Sequence, residues 1–130
     1  SKIKSLVLAE FLKHFADKKP DPYVWIFSST DNRHYNYNSR YLFEYVKDNL
    51  PEITPRFVIN DPKLRAELSA EYGSQYFIET ESASGIRYVL NAGVWFTSAG
   101  LPAYASGLGK NRLIVNLWHG VPLNKTVWPA

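Results

Sequence analysis

Runs of strand character alternate with helical stripes along this chain, and that alternation constrains the fold more than any other feature. Tyr23 to Phe27, Arg56 to Asn60, Tyr76 to Ile78, Val94 to Thr97 and Leu113 to Trp118 are short, rich in β-branched and aromatic residues, and bounded by turn residues. Between them, apolar residues recur three or four apart, the spacing that places them on one side of a helix. Leu42, Tyr45, Val46 and Leu50 form such a stripe near 38–49, Leu64, Leu68 and Tyr72 a second, and Ile86, Val89 and Leu90 a third. Ahead of these, Ile3, Val7, Phe11 and Phe15, with Leu8 and Leu12 beside them, oppose a face of Lys2, Glu10, Lys13 and Asp17. Strands alternating with helices of about ten residues predict βαβ units, a parallel sheet of about five strands and right-handed crossovers. The fold class expected is α/β and Rossmann-like.

Punctuation sharpens the boundaries. Asp61 is an expected N-cap, Pro62 suits the first helical position after it, and Gly73 suits the end of that helix. Gly93 is expected to close the fourth helix. Tyr23–Phe27 and Leu113–Trp118 are expected to be central enough to be buried. The Gly-, Ala- and Ser-rich stretch 98–112 is either a loop or a short helix around 102–107.

With 130 residues and 45% hydrophobic content, the chain can fold as one domain with a real core. Its net charge of +3 is spread along the sequence, and no Lys/Arg run argues for nucleic acid. The absence of Cys excludes disulfides, thiolate metal sites and a cysteine nucleophile. No stretch approaches the roughly 20 apolar residues that span a bilayer. Ile3 to Phe15 is interrupted by Lys4, Glu10, Lys13 and His14, so it is no signal peptide. The chain contains no Met, and Val127 to Ala130 reads as cut rather than finished, so a fragment of a longer protein is expected.

Chemistry concentrates where the expected strands end: Ser28-Ser29-Thr30, Asn60-Asp61, Glu79-Thr80-Glu81, Thr97-Ser98 and His119-Gly120. In a parallel sheet these carboxyl ends share one edge, where ligands of open α/β sheets bind. His119 follows a strand and precedes Gly120, where backbone can approach a ligand closely. A histidine there can move a proton near neutral pH; the alternative is a structural histidine bonded to a backbone carbonyl. His14 reads as a surface or half-buried helix residue, and His34 as either a solvated loop residue or a substrate contact. Tyr35, Tyr37, Tyr41 and Tyr45 are either packing residues or a stacking platform. Gly107-Leu108-Gly109-Lys110 is no P-loop, because Asn111 stands where Ser or Thr is required and Tyr104 where the first Gly is. The dinucleotide fingerprint, a histidine pair for metal and the paired acids of a receiver domain are also missing.

Two segments carry a family resemblance. N-L-W-H-G-V-P-L at 116–123 resembles the L-W-H-G-T-P-L-K signature of the CDP-glycerol glycerophosphotransferase family, the enzymes that prime and polymerise teichoic acids. Tyr37 to Tyr45, Y-N-S-R-Y-L-F-E-Y, resembles that family's D/Y-N-S-K-Y-L-F-E-Y segment. The resemblance spans roughly Tyr23 to Lys125. It implies one half of a GT-B-type two-domain enzyme. Residues 20–130 would be the amino-terminal, acceptor-side domain, and the carboxyl-terminal nucleotide-binding domain has no counterpart in this chain.

The implied reaction moves glycerol phosphate from CDP-glycerol to a hydroxyl of a teichoic-acid-type acceptor and releases CMP, with no cofactor and no metal site expected here. Carried onto this sequence, His119 would be the general base. Gly120, Ser28, Asn38, Ser39, Thr97, Ser98 and Lys125 would bind substrate. Val121 replaces the family's usual Thr, which removes a hydroxyl, and Asn124 replaces a usual Lys, leaving Lys125 as the nearby cation. The family also implies a cytoplasmic protein peripheral on the membrane's inner face. Residues 1–19 would then be an amphipathic helix that either packs on the domain or lies on the lipid surface. The competing readings are a GT-B sugar glycosyltransferase and a non-catalytic flavodoxin-like binding module.

Overall fold

A computed structural model of the chain describes residues 2–13, 19–103 and 111–118. The elements run α1 (Lys2–Lys13), β1 (Asp21–Ser28), α2 (Tyr37–Asn49), β2 (Thr54–Val58), α3 (Pro62–Tyr72), β3 (Phe77–Ile78), α4 (Ala83–Asn91), β4 (Ala92–Thr97) and β5 (Leu113–Asn116). All strand pairs are parallel, and the sheet order is β3-β2-β1-β4-β5. The chain first winds outward from β1 through β2 to β3. Then α4 carries it back across the sheet to β4, on the other side of β1. That order is Rossmann-like, as expected from the alternation, and differs from the 2-1-3-4-5 order of flavodoxins.

Period-two alternation in β1 builds both cores. Val24 and Ile26 face one layer with Val58, Ile78 and Trp95, covered by Ile86, Val89 and Leu90 of α4 and by Ala9 of α1. Phe27 faces the other layer with Phe57 and Phe77, covered by Phe43 and Val46 of α2 and Leu68 of α3. Register aligns Phe96, Phe27, Phe57 and Phe77 across four strands. The Phe27 ring stacks on Phe96 at 5.0 Å and on Phe57 at 6.5 Å, and Phe43 meets Phe27 and Phe57 edge-on. Each fully buried Phe contributes about 1.5–3 kcal/mol, and each such ring pair about 0.5–1.5 more. This aromatic layer holds the sheet on α2.

Several expectations need correction. β2 begins at Thr54, two residues before the expected Arg56, and Asn60 belongs to a loop. Tyr76 falls in a 3-10 turn, which shortens β3 to Phe77–Ile78. Gly93 does not end α4: the helix stops at Asn91, and Gly93 lies within β4, where a Cβ would come 2.7 Å from the Asp21 carbonyl oxygen. Its smallness serves strand packing rather than helix termination. In α2 the seated residues are Phe43 and Val46, and Tyr45 is exposed, so the buried face is rotated from the expected stripe.

Two further departures concern exposure. β1 is central, but its Tyr23 is exposed. β5 is an edge strand among the described residues, and its Leu113 is 60% exposed, against the burial expected for it. α1 packs on α4 through Ala9 and Leu8, while Ile3, Val7 and Phe11 of its apolar stripe face outward. The expected cap residues are as read: Asp61 accepts from the Lys63 N–H at 3.1 Å, Pro62 opens α3, and Gly73 follows its last turn at φ 118°.

Candidate active site at the carboxyl ends of the strands

The winding direction reverses between β1 and β4, and their carboxyl ends bound the crevice that such a reversal opens. β1 ends in Ser28, and the chain passes Ser29 and turns through Thr30–Asn32, with Asp31 and Asn32 both left-handed at φ 55°. The pairing of β1 with β4 continues one step past the strands, since the Ser98 N–H donates to the Ser28 carbonyl at 3.2 Å. Beside it, the Leu117 N–H donates to the Thr97 carbonyl at 2.8 Å. The edge is therefore held by the backbone on both sides of β4.

The start of α2 is tied into the same place. Asn36, its N-cap, makes no capping bond and instead accepts from the Ser29 hydroxyl. Ser98 supplies the missing cap from β4: its Oγ accepts from the Ser39 N–H at 3.0 Å and lies 2.8 Å from the Ser39 Oγ. Asn38 donates through Nδ2 to the carbonyls of Leu117, at 2.8 Å, and Trp118, at 2.9 Å. Thr97 donates its hydroxyl to the Gly100 carbonyl and accepts from the Ala99 N–H.

Five of the residues expected at the site thus converge: Ser28, Asn38, Ser39, Thr97 and Ser98. All five are buried, none above 4% exposed, so they pack the carboxyl edge of the sheet rather than face solvent. Among the described residues, the buried Ser28 hydroxyl has no hydrogen-bond partner. His119, Gly120 and Lys125 lie outside the described residues, as does His14. The last described residue before His119 is Trp118, left-handed at φ 59°, whose N–H donates to Asn116 Oδ1 at 2.9 Å.

The loops after β2 and β3 extend the edge. Asn60 Nδ2 donates to Thr80 Oγ1 at 2.9 Å, and the Thr80 N–H returns to Asn60 Oδ1 at 2.7 Å. The Asn60 N–H also donates to the Asn32 carbonyl, which joins the loops after β1 and β2. His34 is exposed and lines a groove of about 430 Å³ between the start of α2 and α3, shared with Arg40, Glu67 and Glu71. That groove is on the β2 side of β1, away from the crevice beside β4. Tyr35 is a core residue, and its hydroxyl donates to Glu44 at 2.6 Å. Tyr37, Tyr41 and Tyr45 are exposed. Among the described residues, no group of three or more metal-binding side chains converges.

Sequence reasoning missed Asn116 and the capping role of Ser98. An Asn at a strand end is unremarkable in a list of residues, and the Ser39–Ser98 bond joins segments far apart in the chain. Arg112 was missed as well. It donates to the carbonyls of Val89, Leu90 and Ala92 at 2.9–3.2 Å and lies 4.4 Å from the Trp95 ring centroid.

Comparison with known proteins places the chain in a family. A family model described as CDP-Glycerol:Poly(glycerophosphate) glycerophosphotransferase matches residues 9–127. The chain is also similar to the teichoic acid poly(glycerol phosphate) polymerase of Bacillus spizizenii (strain ATCC 23059 / NRRL B-14472 / W23), with 27% identity over 100 residues. That alignment covers 77% of this chain and 25% of the relative, so the chain spans about a quarter of the relative's length. No solved structure matches. A match that takes in nearly every element from α1 to the segment beyond β5 identifies the chain as a member of the CDP-glycerol:poly(glycerophosphate) glycerophosphotransferase family.

Proposed function

We propose that this chain is the amino-terminal, acceptor-side half of a GT-B-type transferase. The enzyme moves glycerol phosphate, or a related polyol phosphate, from CDP-glycerol to a hydroxyl of a teichoic-acid-type polymer and releases CMP. The observation that carries this reading is the course of β5. It runs beside β4 to the crevice edge, and its continuation is tied to α2 up to Trp118, the residue before His119. His119 is the general base, taking the proton of the acceptor hydroxyl as its oxygen attacks the phosphorus and the bond to CMP breaks.

Phosphoryl transfer depends on an oriented nucleophile and on neutralising the charge of the equatorial oxygens. Within this chain, His119 serves the first need. Lys125 contributes to the second, together with groups of the nucleotide-binding half. Gly120 and Lys125 meet substrate directly, while Ser28, Ser39, Thr97 and Ser98 keep the crevice wall in shape, as their burial supports. The protein acts at the cytoplasmic face of the membrane, peripherally. No helix among the described residues is long and apolar enough to cross a bilayer.

Donor specificity is the test. The full-length protein, given CDP-glycerol and a glycerol-phosphate acceptor, should release CMP and lengthen the acceptor, and nucleotide sugars should give no transfer. Transfer from a nucleotide sugar, with CDP-glycerol inert, would assign the protein to sugar glycosyltransferases instead.

A further inference from the structure

We infer that Asn38 is a positioning residue for His119, acting through the peptide groups of Leu117 and Trp118; this rests on the reading of His119 as the base. The Asn38 carboxamide has two N–H donors, and Nδ2 reaches the Leu117 carbonyl at 2.8 Å and the Trp118 carbonyl at 2.9 Å. Both accept immediately ahead of His119. The peptide that begins at the Trp118 carbonyl is planar, so holding its oxygen fixes the direction in which the chain leaves Trp118. Asn38 is itself anchored, because it is 4% exposed in the first turn of α2 and its neighbour Ser39 is bonded to Ser98.

The backbone around this clasp is strained on both flanks. Trp118 has φ 59°, a region that bulky residues rarely adopt. Its side chain is 70% exposed, so core packing does not explain the conformation. Two bonds do: Asn38 holds its carbonyl, and Asn116 Oδ1 accepts from its N–H at 2.9 Å. Tyr37, next to Asn38, is also left-handed at φ 59°. Such strain persists only where the surroundings over-determine it, and it clusters where geometry is used. Sheet pairing does not require it, since the β4–β5 register ends at Asn116. The turn serves what comes next in the chain.

A base works only within hydrogen-bond reach of the hydroxyl it activates, and a misplacement of about 1 Å costs on the order of 10²-fold. Steady-state kinetics of the full-length protein with CDP-glycerol test the inference, using Asn38→Ala, Asn38→Asp, His119→Ala and the Asn38→Ala/His119→Ala pair, each with its melting temperature. Asn38→Ala should lower kcat by about 10²-fold with KM for CDP-glycerol little changed. Asn38→Asp should not rescue it, because a carboxylate cannot donate to two carbonyls. In the His119→Ala background, Asn38→Ala should cost less than about threefold, since residues acting as a unit are not additive. If Asn38→Ala does not fold, Asn116→Ala takes its place, as it removes only the acceptor for the Trp118 N–H. Full additivity, or wild-type kcat in the folded Asn38 or Asn116 variant, overturns the positioning role and leaves His119 as base. Near-normal turnover of His119→Ala alone overturns the base itself, and the positioning role with it.

Discussion

At the scale of the residue, Arg112 and Tyr35 stabilise the two faces of the sheet in opposite ways. Arg112 reaches the carboxyl end of α4, where its guanidinium donates to the carbonyls of Val89 and Leu90 and, at the start of β4, of Ala92. Burial pushes its guanidinium down to about 10, still far above neutral pH, so it remains a cation over the Trp95 ring. Arg112→Ala should cost about 2–4 kcal/mol in urea unfolding of the 130-residue chain, the range for losing charged hydrogen bonds at a buried cap. Arg112→Lys should recover less than half of that, because an ammonium cannot bridge three carbonyls. Tyr35 works through a neutral phenol. Burial, then its hydrogen bond to Glu44 and the Glu44 charge, pushes that phenol well above its usual range. Above about pH 10 the unfolded phenol loses its proton while the folded one keeps it, so the folded state binds more protons and stability falls as pH rises. Stability should hold below about pH 10 and decline above it, and Tyr35→Phe should flatten that decline. At neutral pH the same substitution should cost about 1–2 kcal/mol for the lost bond to a carboxylate. The partners of neither residue were legible in the sequence. Their neighbours are brought by the fold, whereas Asp61, Pro62 and Gly73 were legible because a cap acts on residues beside it.

At the scale of the element, period and phase separate. The existence of every α-helix and strand among the described residues could be read from spacing, because burial imposes a period of two or 3.6 on the chain. The phase of α2 could not, since Tyr45 and Phe43 both carry large aromatic rings and the seat against Phe27 and Phe57 is taken by Phe43. α1 shows the same ambiguity with a larger consequence. Small Ala9 lets α1 approach α4 closely, and the bulkier stripe of Ile3 and Val7 is left on the outside beside Lys4. An outward apolar stripe flanked by lysine suits the surface of an anionic bilayer. The expected result is that full-length protein sediments with vesicles containing anionic lipid, less so at high salt, and that deleting residues 1–19 weakens the association. Unchanged co-sedimentation after the deletion would assign α1 to packing alone.

At the scale of the whole molecule, the alternation of elements carried the fold class, and the strand order then located the crevice. Order was not legible: five parallel strands can be wound in several ways, and only α4 crossing back over β1 creates the reversal. Of the site, the composition of the edge was legible, because each strand runs into polar residues where it leaves the core. The division of labour within it was not, since bonds such as Ser39 to Ser98 join distant segments. On the proposed function, His119 takes the proton of the acceptor hydroxyl while a second domain holds the donor. Turnover of CDP-glycerol by the full-length His119→Ala variant, compared with wild type at matched fold and donor affinity, tests that claim most directly. The expected result is a loss of about 10²–10⁴ in kcat, the usual contribution of a positioned general base. Turnover within a few fold of wild type would contradict it and return His119 to a structural role.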